Sequence, residues 1–244
     1  MNQLPIDPQQ PSGVLLIDKA PDMTSHDVVA IGRRALNTKK IGHCGTLDPM
    51  ATGLLMLVIG RATKIQDLLM SEDKEYVGTL TLGKTTSTQD REGEVEEEKD
   101  VPEFTEAQIK EAFQAFTGEF EQIPPMVSAI KKDGVPLYKL ARQGKVVERK
   151  PRAVRVDSFE ITRVELPEVD FVVKCTKGFY VRTYAHDIGA KLGCGAHLSD
   201  LRRTRSGKFT LDRAVPAMDM KTIDRDELLK SIVSLAEISL MRGA

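Results

Sequence analysis

The chain has 244 residues, 41% hydrophobic and 29% charged, which suits a globular protein of one or two domains with a core of useful size. No apolar run approaches the roughly 20 residues of a membrane-spanning helix. The start, MNQLPIDPQQPSG, lacks the basic-then-apolar pattern of a secretory signal, so the cytoplasm is the expected compartment and residues 1–12 read as a loose leader. Cys44, Cys175 and Cys194 have the spacing of neither a disulfide framework nor a zinc site. The net charge of −1 conceals an uneven distribution: residues 91–106 hold eight acids and two bases, residues 131–155 nine bases and two acids, residues 202–213 five bases and one acid. Clustered Lys and Arg are what a polyphosphate partner needs, but most charge runs are simply solvated faces, and composition alone leaves the choice open.

In chain order, residues 13–18 (GVLLID) predict a short buried strand. Thr24 and Asp27 have capping-box spacing, with Asp in place of the usual Glu, and open a helix whose apolar face carries Val28, Ile31, Ala35 and Leu36 and which runs out near Asn37. A glycine-punctuated loop is predicted over 39–53, a strand over 54–59 and a short helix over 63–70. Tyr76, Gly78, Leu80 and Leu82 alternate with Val77, Thr79 and Thr81, as a strand requires. Residues 84–104 read as a polar, acidic surface connection, and 105–116 as an amphipathic helix burying Ile109, Ala112, Phe113 and Phe116. Ile123-Pro124-Pro125 breaks regular structure ahead of the basic stretch 131–152. Strands are predicted over 153–164 and 169–175, joined at Pro167, then a helix over 184–192 and a last helix over 226–239. Strands and helices mix without steady alternation, which favours α+β over a doubly wound parallel sheet.

The segment Gly42-His43-Cys44-Gly45-Thr46-Leu47-Asp48-Pro49-Met50-Ala51-Thr52-Gly53 is a loop whose direction is controlled residue by residue. Asp48 before Pro49 fits a turn. Cys44 with His43 as a nucleophile and base is disfavoured, because neighbours in a loop rarely face each other. A carboxylate at Asp48 could also serve as nucleophile or base at a sugar-like centre. The residues by themselves leave these readings open.

GHCGTLDPMATGLL resembles the signature loop of the TruB family of pseudouridine synthases, which act on uridine 55 of the tRNA T loop; relatives that work within guide-RNA particles share much of it. The resemblance continues, in the family's order, through DKAPDMTSHDVV, GRATK, KEY, TSTQDREG, QIPPMVSAIKKDGVPLYKLARQG, KGFYVRTY and GAHLSDLRRTRSGKF, over residues 13–215. Two departures stand out: Lys19 is followed by Ala20-Pro21-Asp22 where the family has Lys-Pro and then Gly, and Cys44 replaces a common Thr or Ser.

The resemblance implies an α+β fold with a mixed, largely antiparallel sheet, flanking helices and a central RNA-binding cleft. It implies a catalytic domain over 13–244 with a basic insertion near 120–152. Because the chain ends at Ala244 soon after one helix, no full C-terminal RNA-binding (PUA-like) domain is expected. The implied activity is an isomerisation without metal or organic cofactor: uracil leaves C1′, rotates and rejoins through C5.

By the same resemblance Asp48 is the catalytic residue, attacking the ribose or taking its C2′ proton, and Arg182 pairs with it, which favours an ionised carboxylate. Tyr76 stacks on the uracil, which must be flipped out of the RNA to be reached. Tyr180 and Leu201 line the uridine pocket and His43 contacts the T loop. Lys131, Lys132 and Arg142, with Lys19, Lys64, Arg202 and Arg203, are candidates for the RNA backbone, where contacts position without reading sequence. The expected partner is the tRNA T stem-loop, met by a monomer. The alternative is a tRNA-binding folding helper whose catalysis is secondary or lost.

Overall fold

A computed structural model of the chain describes residue 7 and residues 9–243. The first elements are β1 (Gly13–Lys19), α1 (Ser25–Ala35), β2 (Ile41–Cys44), β3 (Thr52–Ile59), a 3-10 segment (Gly60–Ile65), α2 (Gln66–Met70) and β4 (Lys74–Leu82). The middle of the chain forms β5 (Lys84–Thr86), β6 (Val95–Glu98), α3 (Glu106–Gln114), β7 (Gly118–Gln122), β8 (Lys131–Lys132), β9 (Val135–Pro136) and α4 (Leu137–Ala141). There follow β10 (Arg152–Glu165), β11 (Glu168–Cys175), α5 (Val181–Leu192), β12 (Ala196–Ser206) and β13 (Phe209–Thr210). The end holds β14 (Val215–Pro216), α6 (Arg225–Lys230), β15 (Val233–Ser234) and α7 (Leu235–Arg242). The main sheet has 11 strands, and β5–β6 and β8–β9 form separate two-stranded sheets. This is the mixed α+β class expected from the sequence. The residues divide into two units, one of the described residues up to Glu75 with those from Arg202 onward, the other of Tyr76–Leu201.

In the first unit the strands lie in the order β14-β1-β3-β12, with β15 beside β1 and β2 beside β3. β1 and β3 are antiparallel from Gly13 opposite Ile59 to Lys19 opposite Gly53. Every side chain from Val14 to Ile17 and from Leu54 to Ile59 is buried, so both strands read as continuous apolar runs rather than as alternation. Val14, Leu16, Leu54, Met56 and Val58 pack with Leu69, Phe209, Val233 and Ile238. α1 starts as predicted: the Thr24 side chain accepts from the Asp27 N–H while the Asp27 carboxylate accepts from the Thr24 N–H.

Several expectations for this unit change. The face α1 buries is Ser25, Val28, Val29 and Gly32, with Leu36 just beyond; Ile31 and Ala35 sit at its margin. The loop predicted over 39–53 contains β2, which pairs with β3 from Ile41 opposite Ile59 to Cys44 opposite Met56, so the true loop is only 45–51. Of the predicted leader, residues 1–6 and 8 lie outside the described residues, while Ser12 is tied down, its Oγ accepting from the Arg61 N–H at 3.1 Å. The last helix is interrupted: Val233 and Ser234 pair with Val14 and Gly13, and the Ser234 side chain then caps α7 by accepting from the Glu237 N–H.

In the second unit the order is β12-β4-β11-β10-β7. β4 alternates as predicted, burying Tyr76, Gly78, Leu80 and Leu82. The β10–β11 hairpin runs from Val156 opposite Cys175 to Glu165 opposite Glu168, with two register shifts. α3 is capped by Thr105 and Gln108, and its Phe113 ring meets Phe159, Phe171 and Tyr184 with centroids 5.4–5.7 Å apart, within the range where aromatic pairs attract. The acidic connection 84–104 includes the β5–β6 pair. β7 and β12 have no counterpart in the predicted elements, and α5 begins three residues before the predicted start, which moves Arg182 from a loop into the first turn of a helix.

Candidate active site

The loop 45–51 joins β2 to β3. Gly45 (φ 81°) and Gly53 (φ 94°) flank it in left-handed conformations, and a Cβ on Gly53 would fall 2.3 Å from the Arg203 carbonyl oxygen, so glycine is required there. The Asp48 carbonyl accepts from the Ala51 N–H at 3.1 Å, closing a turn with Pro49 at its second position, where its fixed φ fits. The turn reading of Asp-Pro is therefore correct, and it is compatible with a chemical role. Leu47, Met50 and Ala51 are buried anchors, and Asp48 is half-buried between them.

Two residues expected at the RNA backbone instead hold this loop from inside. Lys19 is 1% exposed, and its ammonium donates to the carbonyls of Ala20, Met23 and Pro49 at 2.7–3.0 Å. Arg203 is 2% exposed, and its guanidinium donates to the carbonyls of Leu54 (2.7 Å) and Gly45 (3.0 Å). A cation is tolerated so deep only when its donors are satisfied, and in that position neither can meet a phosphate. Arg202 is partly exposed and grips Asp18 with two hydrogen bonds at 2.6 and 3.0 Å. Lys64 is exposed.

His43 lies on β2, half-buried, its ring edge-on to His26 with centroids 5.8 Å apart. Burial, followed by the charges of His26 and Arg203, lowers its pKa to about 4, so the imidazole is neutral at physiological pH. The sign follows from the depressed value: the neutral ring's contribution to stability is complete above the ordinary 6.5 and is lost as pH falls toward about 4. An NMR titration of the folded protein is expected to show the His43 midpoint near 4; a midpoint near 6.5 would mean the ring is solvated. Cys44 is buried, and burial pushes its thiol up to about 12, which disposes of the thiolate nucleophile.

In the second unit Arg182 is 3% exposed. Its two terminal nitrogens donate to the carbonyls of Thr88 (2.9 Å) and Val127 (2.8 Å), and the guanidinium lies 3.5 Å from the Asp90 carboxylate. Asp90, equally buried, also accepts from the Thr88 hydroxyl and the Glu92 N–H. The motif TSTQDREG assigns Asp90 no role by itself; a carboxylate inside a Thr- and Gly-flanked turn is the signal it carries. Tyr180 is the N-cap residue of α5, and the Gln122 amide grips it twice, accepting its N–H at 2.8 Å and donating to its carbonyl at 3.1 Å. Tyr76 and Leu201 are buried on β4 and β12. Lys131, Lys132 and Arg142 are exposed around β8, β9 and α4, with the Arg142 guanidinium 5.7 Å from the centre of the Tyr138 ring. Thus Asp48 and His43 belong to the first unit, and Tyr76, Arg182, Tyr180 and Leu201 to the second. Among the described residues no group of three His, Cys, Asp or Glu side chains gathers as metal ligands would, and no helix is long and apolar enough to cross a membrane.

Residues 33–181 match the family model of the TruB family pseudouridylate synthase, N-terminal domain, and residues 182–240 that of the tRNA pseudouridylate synthase B C-terminal domain. The chain belongs to the TruB family of pseudouridylate synthases. A tRNA pseudouridine synthase B from Opitutus terrae is 58% identical over 221 residues, which is 91% of this chain and 92% of that protein. Its namesake from Syntrophotalea carbinolica is 49% identical over 91% of this chain and 73% of its own length. Among solved structures, a chain of a Cbf5–Nop10–Gar1 complex superposes with a TM-score of 0.72 at 33% identity over 94% of this chain; the match spans 62% of that longer chain. This TruB-family member is therefore an enzyme of pseudouridine formation.

Proposed function

We propose that the enzyme converts uridine 55 in the T loop of tRNA to pseudouridine, with Asp48 as the reacting carboxylate and no cofactor. The observation that carries this reading is the half-buried Asp48, held in a braced turn, in a chain 58% identical to a tRNA pseudouridine synthase B.

The isomerisation balances without any redox partner. The N1–C1′ bond breaks, the C5–C1′ bond forms, C5 gives up a proton and N1 gains one. A carboxylate that adds to the sugar and departs, or that takes the C2′ proton and returns it, is regenerated in either case. The base must leave its stack to be reached, and an aromatic face such as Tyr76 offsets part of that cost. Arg182 is read as the partner of Asp48, and Tyr180 and Leu201 as walls of the uridine pocket. His43, neutral at physiological pH, would meet the T loop by hydrogen bonding rather than by charge. The exposed Lys131, Lys132 and Arg142 would contact phosphates, which makes binding weaken with salt. The enzyme is read as a cytoplasmic monomer.

Tritium released from C5-labelled uridine in an unmodified tRNA transcript tests the assignment. Release of about one equivalent per tRNA is expected, since a site-specific synthase converts one uridine, and a transcript with cytidine at position 55 should release none. Undiminished release from that transcript would move the target elsewhere. Tight tRNA binding without release by the wild-type protein would leave the folding-helper function.

A further inference from the structure

The residues on either side of Asp48 are fixed through their backbone by buried side chains outside the loop. The Leu47 N–H donates to Ser25 Oγ at 2.9 Å, and the Ser25 hydroxyl donates back to the Leu47 carbonyl at 3.2 Å. On the other side Lys19 donates to the Pro49 carbonyl at 3.0 Å. One hydroxyl therefore satisfies both backbone groups of Leu47 and fixes the orientation of the peptide plane that leads into Asp48.

Ser25 is the first residue of α1 and is 1% exposed. A serine at a helix start ordinarily serves as the cap. Here it does not, because Thr24 accepts from the Asp27 N–H and Asp27 closes the capping box. The Ser25 hydroxyl is thereby left to the loop, 22 residues further along the chain. Arg203 braces the same loop at Gly45, its first residue, and holds β3 just beyond it at Leu54. The backbone on both sides of Asp48 sets where its carboxylate points, and a misplacement of a reacting group by about 1 Å costs on the order of 100-fold in rate.

We propose that Ser25 is a positioning residue: its reciprocal hydrogen bonds with Leu47 set the direction of the Asp48 carboxylate. This rests on the reading of Asp48 as the reacting group. A merely structural serine, once removed, would lower the melting temperature and leave the rate of the folded, tRNA-bound enzyme unchanged. A positioning serine acts on that rate.

The test is single-turnover tritium release with enzyme in excess and saturating, alongside the tRNA dissociation constant and the thermal midpoint. Ser25→Ala is expected to slow the single-turnover rate by about 10- to 100-fold with tRNA affinity unchanged. A native rate, or a loss of rate that saturation with enzyme removes, overturns the proposal. If Ser25→Ala does not fold, Ser25→Cys decides, since its thiol keeps the approximate volume with weaker hydrogen bonding: slow turnover at native affinity supports positioning and a native rate overturns it. Asp48→Asn assayed in parallel separates the two claims. If it is inactive while the Ser25 variants are native, only the positioning role fails; if it keeps the native rate, the assignment of Asp48 itself fails.

Discussion

Asp48→Asn is expected to abolish tritium release while leaving the fold and tRNA binding intact. The amide is nearly isosteric with the carboxylate, and Asn suits the first position of a turn as well as Asp does. The bond from the Ala51 N–H goes to the main-chain oxygen of residue 48, which the substitution leaves in place. The loop's other supports, Ser25, Lys19 and Arg203, likewise bind backbone groups. What disappears is a group able to add to the sugar or to take its C2′ proton. Loss of a reacting nucleophile or base lowers turnover by at least about 10⁴-fold. Single-turnover release at saturating enzyme measures this without interference from binding. A variant retaining a tenth of the native rate would show that the reacting group lies elsewhere.

The second large effect is expected at Arg182 and Asp90. Both side chains are buried at 3% exposure, and the guanidinium links helix α5 to the turn around Thr88 and to Val127. Asp90→Asn takes a neighbouring carboxylate from that buried cation, and breaking a buried pair from one side costs about 3–5 kcal/mol. The 3.5 Å separation and the two carbonyl acceptors that remain place the expected loss at the lower end of that range. Arg182→Lys is expected to fare no better in stability and to lose activity as well, because one ammonium cannot replace a planar fork that reaches two carbonyls and a carboxylate. Urea unfolding monitored by circular dichroism measures the first effect. An unchanged midpoint for Asp90→Asn would mean that the Asp90 carboxylate adds nothing to the hold on the arginine.

The elements legible in the sequence are those set by near neighbours. The capping boxes of Thr24 with Asp27 and Thr105 with Gln108 mark where α1 and α3 begin, because each box closes within four residues. The hairpin of β10 and β11 follows from two β-rich runs separated by a proline turn. By contrast, β12 reads as AHLSDLRRTRS, a charged run with little sign of a strand. It is one because Arg202 and Arg203 pair with Thr52 and Gly53 of β3, some 150 residues away in the chain. β2 was hidden among glycines for the same reason, its pairing partner being β3. The helix predicted over 226–239 failed because Val233 is buried in the core as a strand beside β1, a tertiary preference that helical periodicity does not report.

The family is legible in the chain alone, through motifs whose order and spacing span most of its length, and with it the residues proposed to carry the chemistry. So is the α+β class, because apolar runs, alternation and caps are local properties. Tertiary structure alone decided what each polar side chain is used for. Lys19 and Arg203 look like cations available to RNA, yet burial requires their donors to be satisfied, and the carbonyls of the Asp48 loop and its flanks satisfy them. Asp90 looks like a turn aspartate, which it is, and its other oxygen lies beside the Arg182 guanidinium. Ser25 looks like a cap and instead holds Leu47, because Thr24 already caps the helix. In each case the identity of the residue is written in the chain, while its partner is set by which backbone groups folding brings within about 3 Å of it, the distance at which a hydrogen bond forms.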